Sequence, residues 1–138
     1  MKIFLDTANI ASIKLYNDMG LVDGITTNPS LLAKEGGDPQ KTMEEIVRIV
    51  KGDVSLEVIA TDASGMVEEG RRLRKYGKNV VVKCPLTPDG LKACRILTDE
   101  GIPVNVTLCF STNQAILAAK SGAKYVSPFI GRLDDVGQ

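Results

Sequence analysis

Short apolar runs rich in branched residues alternate along the chain with segments whose apolar positions recur every three to four residues. The runs Lys2–Asp6, Gly24–Thr27, Val54–Ile59, Asn79–Cys84, Val104–Leu108 and Tyr125–Ser127 read as strands. Helical patterns lie between them. Asp38 followed by Pro39 opens one through Met43, Ile46, Val47 and Val50, Thr87 followed by Pro88 opens one through Leu91, Cys94 and Leu97, and Ser111 opens one through Ala115, Ile116 and Ala119. A capping oxygen followed by proline satisfies a free helix-start N–H and presets the first helical φ. Gly52, Gly77, Gly101 and Gly122 follow helical patterns and are expected as left-handed C-terminal caps.

Strand–helix alternation of this kind predicts a parallel α/β sheet or barrel. The open doubly wound sheet usually carries a glycine-rich phosphate loop after its first strand, and here that position reads Asp6-Thr7-Ala8-Asn9. The expected fold is therefore a parallel (β/α)8 TIM-type barrel. Eight units need at least ~200 residues, so a chain of 138 residues with six candidate strands supplies part of one. The expectation is a single partial barrel domain over residues 1–138, lacking the last two strand–helix units. Alone, such a chain is expected to be partly unfolded, aggregated or completed by a neighbour, with weak or no activity.

The composition is that of a soluble globular chain, 43% apolar with formal net charge zero, which argues against nucleic acid or an anionic membrane as main partner. The basic run Arg71-Arg72-Leu73-Arg74-Lys75 follows Glu68 and Glu69 at helical spacing and reads as a self-paired, solvated helix face. Cys84, Cys94 and Cys109 sit in apolar runs without metal-ligand spacing and read as reduced thiols of a cytosolic protein. No stretch reaches transmembrane length.

Lys83 changes the picture most. It closes the run Val80-Val81-Val82, where a strand buried on both faces excludes water and so favours the free amine. A free amine in an apolar pocket attacks carbonyls and forms Schiff bases. The sequence has no histidine, which removes the commonest general base. Other polar residues also fall at predicted strand ends, often two apart and so on one face. They are Asp6, Thr26 and Asn28, Glu57, Asn105 and Thr107, and Ser127, which shares a face with the apolar Phe129, with Arg132 just beyond. Each has a plainer reading. Asp6 can cap the helix after it, Thr26–Ser30 can be a turn leading into a helix at Pro29, and Glu57 can pair with a lysine. Asn105 and Thr107 can satisfy buried backbone, Arg132 can be an ordinary surface residue, and Lys83 can snorkel from a barrel rim.

Several segments together carry a resemblance. Asp6-Thr7-Ala8-Asn9, Gly24-Ile25-Thr26-Thr27-Asn28-Pro29-Ser30, Val54-Ser55-Leu56-Glu57-Val58, Val81-Val82-Lys83-Cys84-Pro85, Asn105-Val106-Thr107-Leu108 and Ser127-Pro128-Phe129 are similar to the transaldolase family. The likeness is strongest to its short-chain branch, which also contains fructose-6-phosphate aldolases. The resemblance implies a barrel with no metal and no organic cofactor, sugar phosphate substrates of the pentose phosphate pathway, and homo-oligomeric pentamer or decamer rings. It implies Lys83 as Schiff-base nucleophile, Asp6 as the base at the C4 hydroxyl, and Glu57 with Thr107 holding a proton-shuttling water. Thr27, Asn28, Asn105, Ser127, Phe129 and Arg132 are implied on the substrate. The aldolase branch carries glutamine and tyrosine where this chain has Glu57 and Phe129, which favours transfer over release of free dihydroxyacetone.

Overall fold

The computed structural model describes residues 1–131; Arg132 and the residues after it lie outside the described part. The described residues form six strands and six helices, with two helices in succession between β2 and β3: β1 (Phe4–Asp6), α1 (Ile10–Asp18), β2 (Gly24–Thr26), α2 (Pro29–Glu35), α3 (Pro39–Ile49), β3 (Asp53–Glu57), α4 (Ala63–Arg74), β4 (Val80–Pro85), α5 (Pro88–Asp99), β5 (Val104–Cys109), α6 (Thr112–Lys120) and β6 (Tyr125–Pro128). The strands follow the order β1-β2-β3-β4-β5-β6, and the pairs β1–β2, β2–β3, β4–β5 and β5–β6 are parallel. Sequential parallel strands with helical crossovers are the fold class of a partial (β/α)8 barrel. The described residues divide into two compact units: Met1–Glu57 with Arg72–Val81, and Val58–Arg71 with those from Val82 to Gly131.

In the first unit, Asn9, Asn28 and Asp38 cap α1, α2 and α3, each accepting a backbone N–H from the first turn, and proline follows the cap in α2 and α3. The core here includes Ile13, Ile25, Ile46, Val54 and Leu56, all fully buried. Burial of such side chains stabilises the fold by roughly 1.5–3 kcal/mol each. A polar latch ties α3 to the strands. Asn79 at the foot of β4 donates through Nδ2 to the carbonyls of Val47, Val50 and Gly52, at 3.2, 2.8 and 3.1 Å. Asn79→Ala leaves these acceptors short of a donor, and we expect a loss of about 2 kcal/mol, read as a lower urea midpoint at unchanged m.

In the second unit, Val82, Cys84, Val104 and Val106 are fully buried, with Ala93, Cys94 and Leu97 of α5 packed into the same core. Thr87 caps α5 through Gly90 N–H and Ser111 caps α6 through Gln114 N–H. The three cysteines are free thiols and buried. The outer strands differ from the inner ones as edge strands should: β1 and β6 contain no fully buried residue, whereas β4 and β5 are buried along almost their whole length.

Two sequence expectations are corrected. Gly101 and Gly122 do take positive φ (80° and 97°), but Gly52 and Gly77 do not. They are sites of close approach instead. A Cβ on Gly52 would stand 1.7 Å from the Asp23 carbonyl oxygen, and one on Gly77 would stand 2.5 Å from Val47. The basic run also finds partners away from its own helix. Arg71 forms a two-pronged ion pair with Glu100, the residue that caps the C-terminus of α5, and Arg74 donates to the carbonyls of Lys78 and Val80. The Glu69 carboxylate accepts the N–H groups of Ile59 and Ala60. Helical spacing identified the solvated face but not these partners outside the helix. Among the described residues, no helix is long and apolar enough to cross a membrane.

Candidate active site

Within the first unit, parallel pairing sets Asp6 opposite Thr26, and the Thr26 hydroxyl donates to Asp6 Oδ1 at 2.8 Å. Asp6 is exposed and does not cap α1, because Asn9 does so through Ser12 N–H. Its carboxylate therefore stands at the carboxyl end of β1, held from one side by a hydroxyl donor. Asn28 Oδ1 accepts Leu31 N–H at 2.9 Å, which assigns its oxygen to the helix cap and leaves its amide N–H groups to offer a ligand. Thr27 is fully buried, and its hydroxyl donates to the Ser55 carbonyl at 2.8 Å, a tie between β2 and β3. Glu57 ends β3 and is half-buried.

Within the second unit, Lys83 lies in β4 and is only 4% exposed. A lysine ammonium is almost never buried to this degree without a role or a partner. Register sets Lys83 opposite Asn105 and Pro85 opposite Thr107, so alternation puts Lys83, Asn105 and Thr107 on one face of β4–β5. Asn105 is buried, and its Oδ1 accepts the Ser127 hydroxyl at 2.8 Å, extending the polar row to β6. Thr107 is 1% exposed, and its Oγ1 has no hydrogen-bond partner. A buried hydroxyl left in that state costs about 1–3 kcal/mol relative to a paired one. It is a donor and acceptor held ready for a polar atom of a ligand or water. The half-buried Phe129 meets Phe110 edge-on, ring centroids 5.9 Å apart.

The structure thus joins Asp6 with Thr26 in one unit, and Lys83, Asn105, Thr107 and Ser127 along one face in the other. Arg132 falls outside the described residues. Sequence reading placed Thr26 at a strand end but did not assign it to Asp6. The signal was there: Thr26 and Asp6 each close a short strand of the same sheet, and a carboxylate at such an end needs a donor. Among the described residues, no group of three or more His, Cys, Asp or Glu is placed to hold a metal ion. The chemistry these side chains offer is that of a shielded primary amine beside amide and hydroxyl groups, and, in the other unit, an exposed carboxylate base.

Comparison with known proteins gives a consistent match. The family described as Transaldolase/Fructose-6-phosphate aldolase matches residues 3–138. A protein named probable transaldolase from Nitrosopumilus maritimus (strain SCM1) is 77% identical over 138 residues, covering 100% of this chain and 62% of that protein. One of the same name from Methanococcus maripaludis (strain C7 / ATCC BAA-1331) is 64% identical, again over 100% of this chain and 64% of its own length. The chain thus spans less than two thirds of these curated relatives. Among solved structures, Rhizobium etli pyruvate carboxylase T882A superposes with TM-score 0.62 at 13% identity, over 98% of this chain and 17% of that one. The carboxyl transferase domain of the same enzyme gives 0.61 at 14% identity, over 98% and 30%. That likeness concerns the fold.

Proposed function

Because the chain belongs to the transaldolase/fructose-6-phosphate aldolase family, we propose that its protein is a transaldolase that carries a dihydroxyacetone unit on Lys83. The observation that carries this reading is the burial of Lys83 at 4% exposure, in a strand of buried valines, with Asn105 directly opposite. The Lys83 amine adds to the C2 ketone of a ketose phosphate, fructose 6-phosphate or sedoheptulose 7-phosphate, and the carbinolamine loses water to give an iminium. Glu57 and the Thr107 hydroxyl hold the water that shuttles these protons. Asp6 takes the proton from the C4 hydroxyl; the C3–C4 bond breaks, its electron pair flows into the iminium, and an aldose phosphate departs. The enamine left on Lys83 attacks the aldehyde of an acceptor aldose phosphate, and Asp6 returns its proton to the new C4 alkoxide. Water then hydrolyses the iminium, freeing the product ketose and the amine. Asn28, Asn105 and Ser127 hold hydroxyls of the three-carbon unit, and Arg132 holds the phosphate, for which a planar guanidinium is suited. In this reading Thr27 supports the substrate-binding turn from behind through its bond to Ser55.

The reading is tested by turnover of sedoheptulose 7-phosphate with glyceraldehyde 3-phosphate, in the protein carrying this chain at the full length of its relatives. Fructose 6-phosphate must form, and omitting the acceptor must stop turnover. Steady release of free dihydroxyacetone without an acceptor would identify the second reading, an aldolase. Phe129 favours the first. Its ring offers no phenol to protonate the enamine carbon and release the three-carbon unit. Phe129→Tyr is expected to raise dihydroxyacetone release relative to transfer by about tenfold; an unchanged ratio would contradict the role given to this ring.

A further inference from the structure

Leu108 has φ of +60°, and among the described residues it stands alone as a non-glycine with positive φ. This is the left-handed region, where a Cβ crowds the backbone and glycine is the usual occupant. The register around it explains the geometry. β5 and β6 pair Asn105 with Tyr125 and Val106 with Val126, then Cys109 with Pro128, so β5 advances three residues while β6 advances two. Thr107 and Leu108 therefore share the place of one residue, a β-bulge. The peptides on either side are pinned in different directions. The Thr107 carbonyl accepts Leu86 N–H at 2.9 Å from the β4 side, and the Cys109 carbonyl accepts Phe129 N–H at 2.9 Å from the β6 side. Leu108 is the joint between them. The residue before it presents the unpartnered buried hydroxyl of Thr107. The residue after it anchors the backbone of Phe129, whose ring packs on Phe110.

We propose that Leu108 is a positioning residue: its left-handed bulge sets the offset between the Thr107 hydroxyl and the Phe129 ring, and so the balance between transfer and release of the three-carbon unit. The inference rests on the transaldolase reading above. Strained backbone persists only where its surroundings over-determine it, and here bonds from two neighbouring strands do so. With the same residues paired regularly and no bulge, Ser127 would lie opposite Thr107 and Phe129 opposite Cys109. Phe129 would then slip one position relative to the polar row that contains Lys83.

The test compares Leu108→Gly with Leu108→Ile in the full-length protein. Glycine adopts φ of +60° without crowding, whereas a β-branched chain there is strongly disfavoured. Leu108→Gly is expected to retain kcat within about threefold and to keep the parent ratio of transfer to release. Leu108→Ile is expected to lose on the order of tenfold or more in kcat, with KM changed less, and to shift that ratio. Should Leu108→Ile not fold, Leu108→Asn and Leu108→Ala replace it. Asparagine tolerates the left-handed region better, so it must stay nearer the parent in kcat and ratio. The inference is overturned if the folded isoleucine variant keeps both quantities, if glycine and isoleucine fall equally, or if alanine outperforms asparagine. A parent enzyme with no turnover of ketose phosphate overturns the transaldolase reading and this inference with it. A working parent with an indifferent Leu108 overturns this inference alone.

Discussion

Replacing Lys83 by arginine is expected to lower turnover by at least three orders of magnitude, roughly, while leaving the protein folded. Arginine preserves charge, and its aliphatic stem is comparable in length. A guanidinium stays protonated at any working pH, however, and has no free pair to attack a ketone. The position tests chemistry against packing: Lys83 is 4% exposed, between the buried Val82 and Cys84 and opposite Asn105. Some loss of stability is expected from fitting the larger head group, so the melting temperature is measured alongside kcat. Full activity in the arginine variant would remove the lysine from the mechanism. A loss of activity that merely tracked loss of folded protein would reduce it to a packing residue.

The second large effect concerns Asp6. Asp6→Asn keeps an Oδ1 that can accept the Thr26 hydroxyl, the bond that now measures 2.8 Å, so the carboxyl end of β1 is expected to stay in place. Stability is expected to change by less than about 0.5 kcal/mol, since the side chain is exposed. The amide cannot take the C4 hydroxyl proton, and loss of a positioned base costs about 10²–10⁴-fold in rate. The failure has a signature. In the proposed mechanism Schiff-base formation at Lys83 precedes the step given to Asp6, so fructose 6-phosphate should still condense with the variant and then stall before the C3–C4 bond breaks. Borohydride should therefore fix a six-carbon phosphorylated adduct in Asp6→Asn, where the parent yields a three-carbon adduct. An unchanged rate would exclude Asp6 as the base. A variant that neither turns over nor traps would place its role before carbinolamine formation.

The parts of the fold that were legible in the sequence are those governed by local rules. A capping oxygen followed by proline marked the starts of α3 and α5 correctly, and Pro29 likewise opens α2 behind Asn28. The three valines before Lys83 located a strand buried along its length. Period-two alternation placed Asn105 and Thr107 on one face, and the register then set that face beside Lys83. Features that depend on distant partners were not legible. Gly52 and Gly77 follow helices, as left-handed caps do, but their small size serves close approach to Asp23 and Val47, residues far away in sequence. Asn79 opens a predicted strand in the sequence, whereas β4 starts at Val80, and the three carbonyl acceptors of Asn79 appear only when α3 is packed beside β4. The basic run on α4 offered acids at the right helical spacing, but Arg71 pairs with Glu100 at the C-terminal cap of the next helix instead. The bulge at Leu108 was least legible of all. Nothing in a run of branched and apolar residues announces a left-handed leucine, because the conformation is imposed by neighbouring strands and not by the residue itself.

The most direct measurement is borohydride reduction of the full-length protein in the presence of fructose 6-phosphate, followed by intact mass and peptide mapping. The account predicts a single reduced three-carbon adduct on the peptide containing Lys83, lost in Lys83→Arg. No adduct at all, or an adduct mapped to another lysine such as Lys2 or Lys78, would contradict it.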